Sequence, residues 1–273
     1  MSSGSSTIVG GVVGFPIDHS LSPIIHGAWI AATGLDAVYD RHGPDSPEAF
    51  AALLARGRAG EIRGLNVTAP YKEQAFAAAD GASDAARLVG SANLLVFEDG
   101  RIIADSTDGI GLMGALEEQA PKLNVHGHAV VILGAGGAAR AAAGVLASAG
   151  AAVRIVNRSA ERAERLAADV GPSVIVSQSP EAFGEAVLVV NALSVPPDLD
   201  VALLAPGTGV MDMTYKPLIT PLLAAARAQG LTTVDGLAML IGQARPSFHA
   251  IFGVETPDID VRSLVLARLG EAS

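Results

Sequence analysis

A short apolar run that ends in glycines is the feature that most constrains the fold of this chain. Residues 130–133 are Val-Val-Ile-Leu, residues 134–137 are Gly-Ala-Gly-Gly, and an alanine-rich segment with helical spacing follows. This pattern predicts a β-strand, a tight turn and an α-helix. In a dinucleotide-binding unit Gly134 permits the sharp turn and Gly136 lets the backbone approach a pyrophosphate. The small Ala139 then lets the helix pack closely on its strand.

The first turn of the predicted helix, which contains Gly137 and Ala138, offers backbone N–H groups to an anion. The helix dipole adds to this attraction. Glycine turns before helices also occur where no nucleotide binds, so an ordinary strand–helix turn and a nucleotide site are both open at this point.

Length and composition exclude several classes of protein. The chain has 273 residues, enough for two domains of ordinary size. We find no apolar run long enough to cross a bilayer and no signal peptide, and we therefore expect a cytoplasmic protein. The chain has no cysteine, which excludes disulfides, thiolate catalysis and Cys-based zinc sites. The net charge of −10 argues against a nucleic-acid surface, although a few local donors can still bind a small anion.

Strand and helix patterns alternate along the chain and predict an α/β protein. The predicted strands cover residues 8–15, 38–41, 62–67, 94–97, 101–104, 130–133, 153–156, 174–176, 187–190, 209–211 and 232–234. The predicted helices cover residues 23–33, 47–56, 83–89, 110–119, 137–149, 180–184, 221–228, 236–251 and 261–269, and a further helix follows the strand at 62–67. We expect two α/β domains. A substrate-binding domain with a mostly parallel sheet comprises residues 1–108 plus 237–273, and a dinucleotide-binding domain comprises 109–236.

Two serines precede the first predicted helix. Ser22 as the N-cap and Pro23 at the first helical position explain one of them, and Gly34 ends the helix. Ser20 is not required by this arrangement. Two hydroxyls at a helix entrance can hold a carboxylate, which is the functional alternative to a purely structural turn.

Polar side chains also follow the strand at 62–67. Asn66, Thr68 and Lys72 lie near its carboxyl end, the edge at which open α/β sheets bind ligands. The structural alternative is that Pro70 starts a helix, Thr68 caps it, and Lys72 is solvated. A lysine in the first turn opposes the helix dipole, so we expect it to have a role other than helix stability.

Asp108 follows the predicted hairpin 94–104 and precedes the helix 110–119. As an isolated feature it is explained most simply as the N-cap of that helix. Pro121 ends the helix, which we interpret as the passage between the two domains.

The end of the strand at 153–156 favours NADP over NAD. An NAD site places an acidic residue there to bind the ribose 2′-hydroxyl, whereas a 2′-phosphate needs positive charge. Arg158 and Arg162 occupy this region, and Asn157 stands where the acidic residue is expected. Glu161 is interpreted as an outward-facing helix residue.

Together these segments resemble the shikimate dehydrogenase family from Val12 to about Phe252. The pieces that carry the resemblance are residues 14–23, 64–72, Asn93, 106–109, 134–140, 157–159, 212–217, Gly236, Met239, Leu240 and Gln243. Their order and spacing make the match specific. The resemblance implies a Rossmann-type NADP-binding domain and a reversible hydride transfer between NADPH and 3-dehydroshikimate. The products are shikimate and NADP, within chorismate and aromatic amino acid biosynthesis.

The resemblance also assigns roles to individual residues. Ser20, Ser22 and Tyr215 are expected to hold the substrate carboxylate. The residues expected to bind the ring hydroxyls are Asn66, Thr68, Asn93, Asp108 and Gln243. The residues expected to bind NADP are Gly134, Gly136, Gly137, Ala138, Asn157, Arg158, Ser159, Arg162 and Gly236. No metal site is expected.

Lys72 and Asp108 are the pair that we expect to transfer the proton. Reduction of a ketone by hydride builds negative charge on oxygen, so a donor must neutralise it as the transition state forms. Lys72 can be that donor and, in the reverse direction, the base. A neighbouring Asp108 would favour the ammonium form, so the two groups should titrate together.

Four positions depart from the usual pattern of the family. The family usually has Thr at Leu94, Asn at Ser106, Thr at Leu193 and Asn at Gly27. Leu94 and Leu193 each replace a hydroxyl by bulk close to the expected ligands. A quinate- or aminoshikimate-type dehydrogenase, or a slow relative with the same reaction, therefore stays open.

Three other classes are weighed against an enzyme of this family. A protein could bind NADP or a shikimate-like acid without turnover, since it would share the same glycines and arginines. A Rossmann-type transferase or a folate-linked dehydrogenase would have no use for the two serines. An interaction scaffold is disfavoured because the polar residues converge on strand ends. We expect a small-molecule substrate, no nucleic-acid or membrane partner, and a monomer or homodimer.

Overall fold

The chain divides into two compact units in a computed structural model that describes residues 7–177 and 181–270. The first unit contains the residues up to Thr107 and those from Gln243 onward, and the second contains Asp108–Gly242. Each unit has its own six-stranded sheet, which confirms the predicted fold class of two α/β domains. The assignment of one unit to substrate and the other to cofactor, with limits at residues 108 and 236, stays a prediction.

The sheet of the first unit is mixed. Its strands are β1 (Ile8–Val13), β2 (Ala37–His42), β3 (Gly64–Val67), β4 (Gly81–Ala82), β5 (Leu94–Glu98) and β6 (Arg101–Asp105), in the order β2-β1-β3-β5-β6-β4. β1 pairs in parallel with β2 and β3, and β4 pairs in parallel with β6. β5 runs antiparallel to β3 and β6. The predicted hairpin is confirmed. Asp99 and Gly100 have φ of 50° and 74°, as a two-residue hairpin turn requires.

Within the described residues 7–107 of the first unit, the helices are α1 (Ser22–Thr33), α2 (Pro47–Arg58), α3 (Lys72–Ala77) and α4 (Asp84–Val89). One buried core joins α2 to the sheet. It includes Phe50, Leu53 and Leu54 from α2, together with Leu65 of β3 and Leu95 of β5. This packing holds the carboxyl end of β3 in place beside β1 and β5.

Several predicted helix starts were wrong, each by one or two residues. Leu21, not Ser22, takes the N-cap position of α1, and no side chain caps that helix. Helix α3 begins at Lys72 rather than at Pro70. The Tyr71 N–H donates to the Thr68 carbonyl at 3.0 Å, so these residues form a turn before the helix. Asp108 is itself the first residue of its helix.

The sheet of the second unit is entirely parallel. Its strands are β7 (Ala129–Leu133), β8 (Ala152–Val156), β9 (Val174–Val176), β10 (Ala186–Asn191), β11 (Gly209–Asp212) and β12 (Thr232–Val234), in the order β12-β11-β10-β7-β8-β9. The order reverses between β7 and β10. In doubly wound sheets ligands bind outside the carboxyl ends of the strands at this reversal.

The helices of the second unit are α5 (Asp108–Gln119), α6 (Gly137–Ser148), α7 (Ala160–Val170), α8 (Glu181–Gly184) and α9 (Pro221–Ala228). Helix α8 was predicted to begin at Pro180, which lies outside the described residues. Ala139, Ala142 and Ala143 of α6 are at most 1% exposed and share one core with Ile132 of β7. Small side chains at these positions let the helix lie close to the strand that precedes it.

Two helices close the chain. α10 (Gly236–Phe252) begins in the second unit and ends in the first, and α11 (Val261–Leu269) follows. Within the described ranges, no helix has the length and hydropathy that spanning a membrane requires.

Candidate active site

A network of buried polar side chains lies in the first unit. Its members are each at most 7% exposed: Ser22, Tyr39, Asn66, Asn93, Thr107, Gln243 and Ser247. Four of them, Ser22, Asn66, Asn93 and Gln243, are predicted site residues. Buried polar groups need hydrogen-bond partners, and these side chains largely supply them to one another.

Asn66 lies at the centre of this network. The Tyr39 hydroxyl donates to Asn66 Oδ1 at 2.7 Å. Asn66 Nδ2 donates to Ser247 Oγ at 2.8 Å and to the Asn93 carbonyl at 3.3 Å. Asn66 is opposite Leu94 in the antiparallel pair of β3 and β5, which places the two side chains on the same face of the sheet.

Asn93, Thr107 and Gln243 form the second part of the network. Asn93 Oδ1 accepts from the Thr107 N–H at 2.7 Å. Asn93 Nδ2 donates to Thr107 Oγ1 at 3.0 Å and to Gln243 Oε1 at 3.3 Å. Ser247 Oγ donates to the Gln243 carbonyl at 3.0 Å, one helical turn earlier in α10. Segments from both ends of the first unit thus converge on Asn66.

Ser20 and Ser22 are both buried, with exposed fractions of 6% and 5%. The Ser22 N–H donates to Ser20 Oγ at 3.4 Å, and Arg41 Nη2 donates to the Ser20 carbonyl at 2.7 Å. Burial raises the pKa of Tyr39 well above its ordinary value, and a hydrogen bond with the Ser22 side chain partly offsets this. Since Ser22 does not cap α1, its hydroxyl can take part in the polar network.

The remaining substrate and proton-transfer residues are divided over the two units. Half-buried Lys72 opens α3 in the first unit, and half-buried Thr68 lies in the preceding turn. Asp108 opens α5 in the second unit and is 8% exposed. Tyr215 follows β11 there, and burial raises the pKa of its phenol. The pairing of Lys72 with Asp108, and of Tyr215 with the serines, stays a prediction.

A cleft of about 660 Å³ lies at the carboxyl ends of β7, β8 and β10 in the second unit. This volume falls within the range of about 300–1,000 Å³ that is usual for ligand sites. Its lining includes most of the predicted cofactor residues, namely Gly134, Gly136, Asn157, Arg158 and Arg162. The structure therefore brings the glycine turn and the two arginines to one cavity.

The two glycines of the turn differ in what they do. Gly134 has φ of +116°, a conformation that side-chain-bearing residues rarely adopt, so the backbone itself requires glycine. Gly136 has ordinary dihedral angles, φ −92° and ψ −173°, and a Cβ there would meet no protein atom within 4 Å. The fold does not require glycine at position 136, and its absent side chain leaves space at the start of α6.

The start of α6 offers backbone donors to this space. Gly136 is the N-cap residue and no side chain caps the helix, so the first-turn N–H groups, which include those of Gly137 and Ala138, are open to a ligand. Arg158 and Arg162 are exposed. Ser159 has a structural role as well, because its Oγ caps α7 by accepting from the Arg162 N–H at 3.3 Å. Asn157 Nδ2 donates to the Ser159 carbonyl at 2.9 Å.

Gly236 opens α10 against the backbone of residues 213–214. A Cβ there would lie 2.7 Å from the Thr214 carbonyl oxygen and closer still to that of Met213. Asp235 Oδ1 accepts from the N–H groups of Leu237 and Ala238, each at 3.0 Å. Close backbone packing explains this glycine, and its role toward the cofactor stays a prediction.

Sequence reasoning missed Tyr39, Thr107 and Ser247 as members of the network. Ser247 carries a weak signal, because it lies four residues after Gln243 and therefore on the same face of α10. Thr107 precedes Asp108 within the motif at residues 106–109. Tyr39 lies in β2 and has no local signal that distinguishes it from an ordinary core tyrosine. Among the described residues, no group of three or more His, Asp or Glu side chains is arranged to hold a metal ion.

Comparison with known proteins identifies the family. A model described as "Shikimate dehydrogenase substrate binding domain" matches residues 12–95, and one described as "Shikimate / quinate 5-dehydrogenase" matches residues 116–198. The shikimate dehydrogenase (NADP(+)) of Caulobacter vibrioides strain NA1000 / CB15N is 50% identical over 278 residues, covering 97% of each chain. The chain belongs to the shikimate dehydrogenase family. The resemblance inferred from the motifs is thus confirmed.

Solved structures of this family share the fold. Shikimate 5-dehydrogenase from Thermus thermophilus, in complex with NADP(H) and shikimate, has a TM-score of 0.86 and 33% identity, covering 97% of this chain and 99% of that chain. Quinate dehydrogenase from Corynebacterium glutamicum, in complex with NAD, also has a TM-score of 0.86. It is 29% identical and covers 97% of this chain and 100% of that chain.

The four departures from the family pattern lie in different surroundings. Leu94 is 1% exposed and shares a sheet face with Asn66. Leu193 lines the second-unit cleft, where its Cδ2 is 3.2 Å from the position of a Cβ on Gly134. The Ser106 N–H donates to Asp105 Oδ1 at 2.7 Å. Gly27 lies within α1, and a Cβ there would meet nothing within 4 Å. Leu94 and Leu193 are therefore the departures that border the candidate site.

Proposed function

We propose that this chain catalyses the NADP-dependent, reversible reduction of 3-dehydroshikimate to shikimate, a step of chorismate and aromatic amino acid biosynthesis. The observation that carries the proposal is the second-unit cleft, in which the glycine turn and the pair Arg158 and Arg162 line one cavity. Relatives named shikimate dehydrogenase (NADP(+)) support the choice of reaction and of cofactor.

The cleft suits both charged parts of NADP, the pyrophosphate and the 2′-phosphate. The N–H groups at the start of α6 would hold the pyrophosphate, for which Gly136 leaves space because it has no side chain. The guanidinium groups of Arg158 and Arg162 would hold the 2′-phosphate through charge-assisted hydrogen bonds. When bound as NADPH, the cofactor supplies the hydride.

The polar side chains of the first unit suit a hydroxylated acid. Ser20 and Ser22 donate hydroxyl hydrogen bonds to the substrate carboxylate, with Tyr215 as a third donor. A phenol is protonated at neutral pH, and burial raises the pKa of Tyr215 further above its ordinary value. The ring hydroxyls bind to Asn66, Thr68, Asn93, Asp108 and Gln243.

Lys72 and Asp108 carry the proton in this proposal. In the reduction, the Lys72 ammonium would give its proton to the carbonyl oxygen of the substrate and neutralise the negative charge that develops there. In the direction of shikimate oxidation, neutral Lys72 takes the hydroxyl proton. Asp108 is the carboxylate that would accompany Lys72 in this step.

A substrate panel tests the proposal directly. Purified protein is mixed with shikimate, quinate or aminoshikimate and with NADP or NAD, and the absorbance of the reduced nicotinamide is followed. We expect shikimate with NADP to give the highest kcat/KM. The absence of reduction with all six pairs, while NADP binds, would instead identify a protein that binds without turnover.

A quinate-type dehydrogenase is the second candidate. It is favoured by Leu94, which replaces the usual hydroxyl on the sheet face of Asn66, and by the structural similarity to a quinate dehydrogenase. A higher kcat/KM for quinate than for shikimate in the same panel would identify this function.

We further propose that the protein acts in the cytoplasm as a monomer or homodimer without nucleic-acid or membrane partners. The lack of cysteine fits a reducing compartment, and the net charge of −10 disfavours binding to phosphate backbones. Sedimentation velocity tests the oligomeric state, and cell fractionation tests the compartment.

A further inference from the structure

The carboxamide of Asn66 uses both of its N–H groups inside the protein. Nδ2 donates to Ser247 Oγ at 2.8 Å and to the Asn93 carbonyl at 3.3 Å, while Oδ1 accepts from the Tyr39 hydroxyl at 2.7 Å. A carboxamide has two N–H donors and two acceptor positions on its oxygen. One acceptor position on Oδ1 is therefore all that Asn66 has left for a ligand.

The hydrogen-bond partners of Asn66 determine the orientation of its carboxamide, that is, which positions Oδ1 and Nδ2 occupy. Ser247 donates its one hydroxyl proton to the Gln243 carbonyl at 3.0 Å, so its oxygen accepts from Asn66. A half-turn of the carboxamide would set Oδ1 against the Asn93 carbonyl oxygen, with two acceptors face to face. Asn66 is only 5% exposed, and two buried acceptors without a donor would destabilise the fold.

Tyr39 is itself held rigidly. Its ring stacks on that of His26 with centroids 4.0 Å apart and an interplanar angle of 2°. Tyr39 is 7% exposed and His26 is 0% exposed. Burial raises the pKa of Tyr39, so the hydroxyl keeps the proton that it donates to Asn66.

We propose that Tyr39 and Ser247 are positioning residues that restrict Asn66 to accepting one hydrogen bond from a ligand hydroxyl. The inference rests on the proposed function, in which Asn66 contacts the substrate ring. A carbonyl or ether oxygen brings no proton and is excluded from this position. Asn66 therefore selects the ring orientation in which an unreacted hydroxyl faces it and the ketone faces elsewhere.

Ligand analogues test the direction of this hydrogen bond. Shikimate analogues in which one ring hydroxyl at a time is replaced by fluorine or by hydrogen are measured as competitive inhibitors of shikimate oxidation. The ring position that faces Asn66 is the one at which the replacement costs the wild type more affinity than it costs Asn66→Ala. Fluorine can only accept, so at that position we expect the fluoro and deoxy compounds to bind equally poorly. An N–H donated by Asn66 would instead make the fluoro compound bind clearly better than the deoxy compound at that position, which would overturn the inference.

Two substitutions test the positioning residues. We expect Tyr39→Phe and Ser247→Ala each to raise the KM for shikimate about tenfold, the loss expected for one hydrogen bond, with kcat within about twofold. Thr208→Val is the matched control, because it deletes another buried hydroxyl, which donates to the Ala186 carbonyl at 2.9 Å in the second unit. It should lower thermal stability without changing KM.

The outcomes separate the two proposals. Wild-type protein that oxidises shikimate, together with Tyr39→Phe and Ser247→Ala variants of unchanged KM, would overturn the positioning role alone. Folded variants in which kcat falls by as large a factor as KM rises would also overturn it. A residue that positions a binding group acts mainly on KM. Wild-type protein that oxidises none of the acids would overturn the proposed function and this inference with it.

Discussion

The imidazole of His26 stacks face to face on the phenol of Tyr39, with ring centroids 4.0 Å apart and planes 2° from parallel. His26 is completely buried, and neither ring nitrogen has a hydrogen-bond partner in the described part of the chain. Trp29 and Phe248 pack on its other sides. Burial lowers the pKa of His26 from 6.5 to about 3, so the folded protein holds this ring neutral.

The first prediction concerns the stability of the fold in acid. Unfolded chains protonate His26 near pH 6.5 and the folded protein only near pH 3, so its stabilising contribution is complete above 6.5 and declines as the pH falls toward 3. Between pH 7 and pH 5 this one site should lower the free energy of unfolding by about 2 kcal/mol. Urea denaturation at several pH values should show a weaker pH dependence for His26→Phe. A control His128→Asn, at an exposed position, should behave as wild type, and equal slopes for all three proteins would contradict the assignment.

The second prediction concerns Lys72. Because it acts on the transition state, Lys72→Ala should lower kcat by about 10²–10⁴-fold with a much smaller change in KM. Lys72→Arg should not restore turnover, since guanidinium does not release a proton near neutral pH. Steady-state kinetics with shikimate and NADP measure both, with exposed Lys122→Ala as the control. A rise in KM as large as the fall in kcat would argue against a proton-transfer role. An active Lys72→Arg variant would also argue against it.

The third prediction concerns the choice of cofactor. The double variant Arg158→Ala/Arg162→Ala should raise the KM for NADP by about 100-fold or more, because it removes two hydrogen bonds to a charged group and each contributes about 1.5 kcal/mol or more. The KM for NAD should change little. Arg165→Ala is the control. Arg165 lies on α7, as Arg162 does, is exposed, and forms an ion pair with Glu161 at 3.5 Å. If the double variant weakened NADP and NAD equally, the arginines would not read the 2′-phosphate.

The fourth prediction separates the ligand from the fold at the glycine turn. Gly136→Ala should fold with unchanged thermal stability, because its dihedral angles are ordinary and the new methyl group meets no protein atom within 4 Å. The same methyl group should weaken NADP binding, which calorimetric titration measures. Gly114→Ala, another open position, should leave NADP binding unchanged. Gly134→Ala should instead lower stability, because φ of +116° strains a residue that carries a side chain.

Local sequence signals were sufficient for many elements. Helices Pro221–Ala228 and Val261–Leu269 and strands Val174–Val176 and Thr232–Val234 have the predicted bounds. Proline at the first helical position and a cap such as Thr220 mark the ends of such segments chemically. The predicted start of α3 at Pro70 was wrong, because proline is equally compatible with the turn that precedes the helix.

The grouping of the glycine turn and the two arginines in one cleft could be expected from the sequence. Gly134, Gly136, Arg158 and Arg162 each lie just beyond a strand of the same parallel sheet. Carboxyl ends of parallel strands meet at one edge, so their grouping in one cleft follows from the strand–helix pattern. Ser159 was predicted as a cofactor residue, and the structure adds its role as the cap of α7.

The sequence by itself determined two α/β halves, the glycine turn with its arginines, and membership of the shikimate dehydrogenase family, because these depend on short-range periodicity and on ordered motifs. Only the tertiary structure decided which hydrogen bonds Asn66 can still offer. Its partners Tyr39 and Ser247 lie 27 and 181 residues away along the chain. They meet Asn66 because strand order and helix packing bring β2, β3 and α10 together, and no local pattern encodes that proximity.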